Sequence, residues 1–155
     1  AAFAPTDLAP MLADIAELYG AAAEAREQHL ATDLPETLPL VGDRDLLGQV
    51  MANLLDNALK FTPEGGTVRL AARLLEGGVE VSVADDGPGM PEADRLRAGE
   101  RFFRADSART TPGSGLGLSL VRAVAALHRG EVALSDTHPG AERPGLTVTL
   151  RLPSA

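Results

Sequence analysis

Apolar residues recur at helical spacing in three stretches of the chain and alternate in four others. From Asp7 to Gln28, Leu8, Met11, Leu12, Ile15, Leu18 and Tyr19 fall on one face of a helix. A second helix is predicted over RDLLGQVMANLLDNALKF, capped by Asp43, with Leu47, Val50, Met51, Leu54 and Ala58 as its buried stripe. Thr62 and Pro63 stop it. A third helix carries Leu120, Val121, Val124 and Leu127, with Gly130 placed as its C-cap. TVRLAARLL and VEVSVAD alternate on either side of EGG, which predicts a β-hairpin. EVALSD and LTVTLRLP predict two closing strands, and HLATDLP a short one ended by Pro35. PETLPLVGD reads as a Pro-rich connector. This mixture predicts an α+β fold of two layers, a mixed, mostly antiparallel sheet with helices on one face.

Composition narrows the picture in four ways. At 155 residues the chain suits one domain. Aromatic residues are 3%, so the core must be built from Leu, Val and Ala. A net charge of −8 disfavours nucleic acid as a partner. The lack of cysteine excludes disulfides, thiolate metal sites and a Cys nucleophile. No run reaches the roughly 18 to 20 apolar residues that span a bilayer. AAFAPTDLAP lacks the basic start of a signal peptide and reads as the cut end of a linker, residues 1–6.

Four polar constellations could carry chemistry. On the second helix Asn53, Asn57 and Lys60 fall within about 60° of one another. An Asn carbonyl oxygen suits Mg²⁺ and a Lys suits phosphate, although a solvated helix face has the same pattern. DDGPGM puts Asp85 at a strand end, followed by Gly87, Gly89 and Met90. A carboxylate there could accept from an exocyclic amine, and glycines let a ligand approach the backbone; an ordinary turn uses the same residues. ERFFRADSART sets Arg101, Arg104 and Arg109 in an acidic protein, beside Phe102 and Phe103. Arginine forks suit phosphate oxygens, while a surface segment anchored by its Phe pair is the plain alternative. GSGLGLSL leads into the third helix, where backbone N–H groups and the helix dipole can meet an anion. No G-K-[ST] follows, so it is not a P-loop.

The order of these segments resembles the GHKL ATP-binding (Bergerat) fold, and more narrowly the catalytic and ATP-binding domain of bacterial sensor histidine kinases. NLLDNALKFTP is similar to the N box, DDGPGM to the G1 box, RFFRADSA to the F box and GSGLGLSLV to the G2 box. The resemblance runs from about Leu8 to Pro153. It implies that residues 1–155 form one such domain, with an ATP lid over about 97–115 and the dimerisation and phosphoacceptor domain absent.

The resemblance also implies roles. Asn57 would hold Mg²⁺, Asn53 would lie near the phosphates, and Lys60 would contact them. Phe61 and Met90 would line the nucleotide pocket. Asp85 would recognise the adenine amino group, with Gly87 and Gly89 as the G1 glycines. Arg104 would reach the γ-phosphate, with Arg101 and Arg109 beside it. Gly113, Gly115 and Gly117 would be the G2 glycines, with Leu116 and Leu118 alongside. Asn53, Lys60 and Arg104 would thus serve phosphoryl transfer by positioning and charge neutralisation. The implied partners are ATP, the phosphoacceptor domain of the parent kinase and a response regulator, in the cytoplasm, with no nucleic acid or membrane contact by this domain. None of His29, His128 and His138 sits in an H-E-x-x-x-P motif, and His128 reads as a cap or surface residue. Two related functions remain as alternatives. A GHKL ATPase would need a Glu where Asn53 stands, and an anti-sigma-type serine kinase fits the Arg-rich F box less well.

Overall fold

The computed structural model describes residues 2–91 and 114–154, with backbone alone for 114–117. In chain order its elements are β1 (Ala4–Asp7), α1 (Leu8–Ala25), β2 (His29–Asp33), β3 (Pro39–Gly42) and α2 (Arg44–Phe61). Then come β4 (Thr67–Leu75), β5 (Gly78–Ala84), α3 (Ser114–Leu127), β6 (Glu131–Ser135) and β7 (Thr147–Pro153).

Five strands make one mixed sheet in the order β2-β4-β5-β7-β6. β2 runs parallel to β4, and the other neighbours are antiparallel. Alternation decides the faces. Val68 and Leu70 of β4, Val79, Val81 and Val83 of β5, and Val148, Leu150 and Leu152 of β7 are all buried. The three helices pack on that side. Each such side chain contributes about 1.5–3 kcal/mol on burial. The other face is open and carries one row of charges in register, Arg73, Glu80, Arg151 and Glu131 on β4, β5, β7 and β6. Arg73 Nε donates to Glu80 Oε2, and Arg151 Nε donates to Glu80 Oε1 at 2.9 Å. Arg151 Nη1 lies 3.7 Å from Glu131 Oε1. The Arg73 hydrogen bond, helped by Arg151 and opposed by burial, holds the Glu80 carboxyl below its usual range.

The predicted fold class holds, and several boundaries shift. The first helix begins one residue after Asp7, whose Oδ1 accepts from the Ala9 N–H at 3.0 Å and the Leu38 N–H at 2.7 Å. It ends at Ala25, because the chain turns at Glu27, where φ is 56°. Gln28 falls in that turn and is buried; its Nε2 donates to the carbonyls of Leu59 at 2.8 Å and Thr62 at 2.6 Å, closing the last turn of α2. Leu18 does not join the stripe and is 68% exposed. The expected linker and the expected connector are corrected together: residues 4–7 and 39–42 pair antiparallel as a small second sheet, β1 with β3.

α2 matches its expected span. Asp43 accepts from the N–H groups of Asp45 and Leu46, both at 3.1 Å, and all five residues of the predicted stripe are buried. In α3, Val121 and Val124 are buried, but Leu127 is 54% exposed, and Leu118 and Ala125 complete the contact. The helix is closed by Arg129, at φ 59°, rather than by Gly130. Gly130 answers a different need, since a Cβ there would run into the carbonyl of Arg151.

His128 is buried rather than a surface residue. Its Nδ1 faces the Val124 carbonyl at 2.8 Å, and its Nε2 faces the Asp43 N–H at 3.0 Å. A carbonyl can only accept and an amide N–H can only donate, so the imidazole is neutral with its proton on Nδ1. The ring of Phe3 stacks on it at 4.5 Å. This contact joins the start of α2 to the end of α3, so the two packed helices run antiparallel.

Candidate nucleotide site

The site lies at one end of the sheet, on its helix-covered face. Val79, Val81 and Val83 point inward from β5, and continuing the alternation turns Asp85 inward and Asp86 outward. Asp85 is accordingly buried and Asp86 only partly so. Asp85 Oδ1 accepts from the N–H groups of Gly87 at 2.9 Å and Leu146 at 3.1 Å. The Asp85 N–H donates in turn to the Leu146 carbonyl at 3.0 Å, and the Gly145 N–H to the Gly87 carbonyl at 3.0 Å. The carboxylate is therefore aimed by backbone, not by its own rotamer alone.

Glycine is required in this loop for two separate reasons. A Cβ on Gly87 would stand 2.6 Å from the Phe61 carbonyl oxygen, so the loop lies directly against the end of α2. Gly89 has φ 80°, and a Cβ there would meet Pro144 Cγ at 2.8 Å. Met90, which follows Gly89, and Phe61, whose carbonyl faces Gly87, are both buried.

The expected polar stripe lies on α2. Asn53 and Asn57 are half-buried and Lys60 is exposed in the last turn. Among the described residues, none of the three side chains makes a hydrogen bond or ion pair. The start of α3 comes level with them by simple geometry. His128 meets Asp43, and the roughly 21 Å spanned by 14 residues back from His128 matches 14 residues forward from Asp43, which is about Asn57. α3 begins at Ser114, so Gly115 and Gly117 belong to its first turn rather than to a leader before it. The N–H groups of that turn have no partner within the helix and sit at its positive end. Leu116 shares this turn, and Leu118 is buried beneath it. Arg101, Arg104, Arg109 and Gly113 lie outside the described residues, as does most of the expected lid.

Sequence reading missed a pair beside Asp85. Asp86 Oδ2 accepts from the Thr67 N–H at 2.8 Å, and Asp86 Oδ1 meets His138 Nε2 at 2.7 Å. Burial pushes the Asp86 carboxyl up, but His138 and the Thr67 N–H outweigh it and hold it below the usual range. The doublet Asp85–Asp86 at the end of an alternating strand was the available signal.

The donors suit a metal carried by its ligand. Among the described residues no cluster of three His, Cys, Asp or Glu could hold a metal. Mg²⁺ typically takes one or two protein oxygens, with phosphates and water supplying the rest, and the half-buried Asn57 amide offers one hard oxygen.

Comparison with known proteins shows the family. Residues 42–155 match the family described as histidine kinase-, DNA gyrase B-, and HSP90-like ATPase. The signal transduction histidine-protein kinase/phosphatase MprB of Mycolicibacterium smegmatis is 43% identical over 113 residues, 72% of this chain and 23% of that protein. The adaptive-response sensory kinase SasA of Thermosynechococcus vestitus is 43% identical over 119 residues, 76% of this chain and 31% of that protein. The chain thus spans less than a third of these relatives. A solved structure of a mycobacterial sensor histidine kinase MprB superposes with a TM-score of 0.84 at 34% identity, covering 97% of both chains. Full-length ShkA in complex with AMPPNP gives 0.80 at 33% identity, covering 99% of this chain and 31% of that one. With the family model spanning most of the sequence and a solved sensor histidine kinase chain covered to 97% at 34% identity, the chain belongs to the histidine kinase-, DNA gyrase B- and HSP90-like ATPase family, on its sensor histidine kinase branch.

Proposed function

We propose that this chain is the catalytic and ATP-binding domain of a two-component sensor kinase. It binds Mg·ATP between α2, α3 and the Asp85 loop and transfers the γ-phosphoryl group to a histidine on a separate helical domain of its parent. The observation that carries the reading is the aim of Asp85. Its Oδ1 is held by two backbone N–H groups at the end of an inward-facing strand position. A carboxylate can only accept, so it pairs with the amino group of adenine and opposes the carbonyl that guanine presents at the same ring position. That ShkA was solved with AMPPNP supports a nucleotide here.

The remaining roles are those the family resemblance implies, and the placement of α2 and α3 supports the ones that lie on them. Asn57 would hold Mg²⁺, which neutralises charge on the phosphate oxygens. Asn53 and Lys60 flank it on the same helix stripe, and the N–H groups of the first turn of α3, with Gly115 and Gly117, cradle phosphate. Phe61, Met90, Leu116 and Leu118 enclose the nucleotide, with Gly87 and Gly89 keeping the loop close. Arg104, with Arg101 and Arg109, would reach the γ-phosphate from a lid over about 97–115, with Gly113 as the first of the G2 glycines. The domain comprises residues 1–155, and its phosphoryl group passes onward to a response regulator through the parent. No helix among the described residues is long and apolar enough to cross a membrane. The domain works on the cytoplasmic side, where ATP is. His128 cannot serve as acceptor, because both ring nitrogens are engaged in the interior.

A hydrolytic ATPase is the second reading, and Asn53 counts against it, since an amide cannot act as a general base. Incubation with γ-labelled ATP and a helical acceptor domain of a sensor kinase separates the two. Label on the acceptor histidine supports transfer; label released only as inorganic phosphate overturns it.

A further inference from the structure

Residues 136–146, between β6 and β7, form the wall that faces Asp85. The segment closes on itself: the His138 N–H donates to the Pro144 carbonyl at 2.7 Å and the Ala141 N–H to the His138 carbonyl at 3.1 Å. Thr137 and Thr147 join hydroxyls across its neck at 3.0 Å. Its far end delivers the Leu146 N–H to Asp85 Oδ1, and its Pro144 rests on Gly89. The tip, from His138 to Arg143, is exposed, and exposed turns of this length hold their place only where something ties them down.

We propose that His138 is a positioning residue for adenine recognition: its hydrogen bond with Asp86 pins residues 136–146 to the Asp85 loop and so keeps the Leu146 N–H on the carboxylate that reads the base. The inference rests on the proposed role of Asp85. Asp86 is suited to the task because it reaches two ways. One oxygen takes the N–H of Thr67, the first residue of β4, and the other takes His138 across 52 positions of sequence. The tether therefore joins the start of β4, the adenine loop and the β6–β7 segment at one point, one peptide from Asp85. His138 is 54% exposed and Asp86 31% at the side chain, so the pair belongs to the partly solvated class whose effects are modest.

The test uses this chain and two probes titrated by calorimetry, Mg·ADP and Mg·tripolyphosphate, the second lacking the base. His138→Ala should weaken Mg·ADP about two- to fivefold, the range of a partly exposed pair, and leave Mg·tripolyphosphate unchanged. His138→Gln, whose amide N–H reaches the same oxygen, should recover most of the affinity. Asp86→Asn keeps an oxygen for Thr67 and should not add to the loss in a His138→Ala background. Equal weakening of both probes, an unchanged affinity for ADP, or full additivity of the two variants overturns the positioning role. Asp85→Asn separates this failure from that of the site: if it binds ADP as the parent does, the adenine reading falls and the proposal with it.

Discussion

The proposed base end and the proposed phosphate end of this site are built differently. At the base end the reading group is fixed before any ligand arrives. Asp85 is buried, held by two N–H groups, and its loop is wedged between the end of α2 and Pro144. At the phosphate end Asn53, Asn57 and Lys60 stand on one rigid helix, but their side chains make no hydrogen bond or ion pair among the described residues. The difference teaches where order must be prepaid. In the proposed role, telling adenine from guanine depends on one acceptor in one direction, and backbone N–H groups set that direction. Phosphates are highly charged and accept from any side, so mobile donors and a metal can gather around them after binding.

Breaking the base end should cost most. Asp85→Asn keeps an oxygen for both N–H groups but can set an amide donor against the adenine amine, and should weaken Mg·ADP about 10- to 100-fold, the range for a hydrogen bond to a charged group. Calorimetry checks it, with an unchanged melting curve as the sign that the loop survived. Asn57→Ala should act through the ion: the gain in ADP affinity on adding Mg²⁺ should shrink by about tenfold, while metal-free binding stays put. Lys60→Ala should cost only about two- to fivefold, and less as salt is raised, because an exposed charge is screened. Glu80→Gln, on the open face of the sheet, should leave nucleotide affinity alone and lower stability by less than about 1 kcal/mol. Its pH dependence has a sign. The folded carboxyl is held below its unfolded value, so its contribution is present above pH about 4.3 and is lost as pH falls through the lower folded value. Acid melts should therefore narrow the gap between parent and variant.

Strong periodicity explains what could be read from sequence. α2 combined a cap, an uninterrupted stripe and a stop, and its span was read closely. β5 alternated cleanly enough to carry Asp85 to the correct face. What escaped depended on distant partners. Prolines concealed β1 and β3, which pair across more than 30 residues and whose short strands carry little pattern of their own. Leu18 and Leu127 fit a helical stripe but stand where the helix has no neighbour among the described residues to bury them. Arg129 rather than Gly130 takes the left-handed position, because the glycine is needed for room against β7. His128 and His138 sat in unremarkable sequence; their partners, Asp43 and Asp86, lie 85 and 52 positions away.

The row Arg73, Glu80, Arg151, Glu131 has a consequence for how the sheet assembles. Apolar alternation distinguishes one side of a strand from the other, and it rejects a slip of one residue. It cannot sense a slip of two, which returns every Val and Leu to the interior. The charge row can. Sliding β5 two places along β7 sets Glu80 opposite Thr149 or Pro153, and along β4 opposite Ala71 or Leu75, so it faces no arginine on either side. Four surface side chains worth little as stability thus act as an alignment key, and they do so for the strand that must deliver Asp85 to its place.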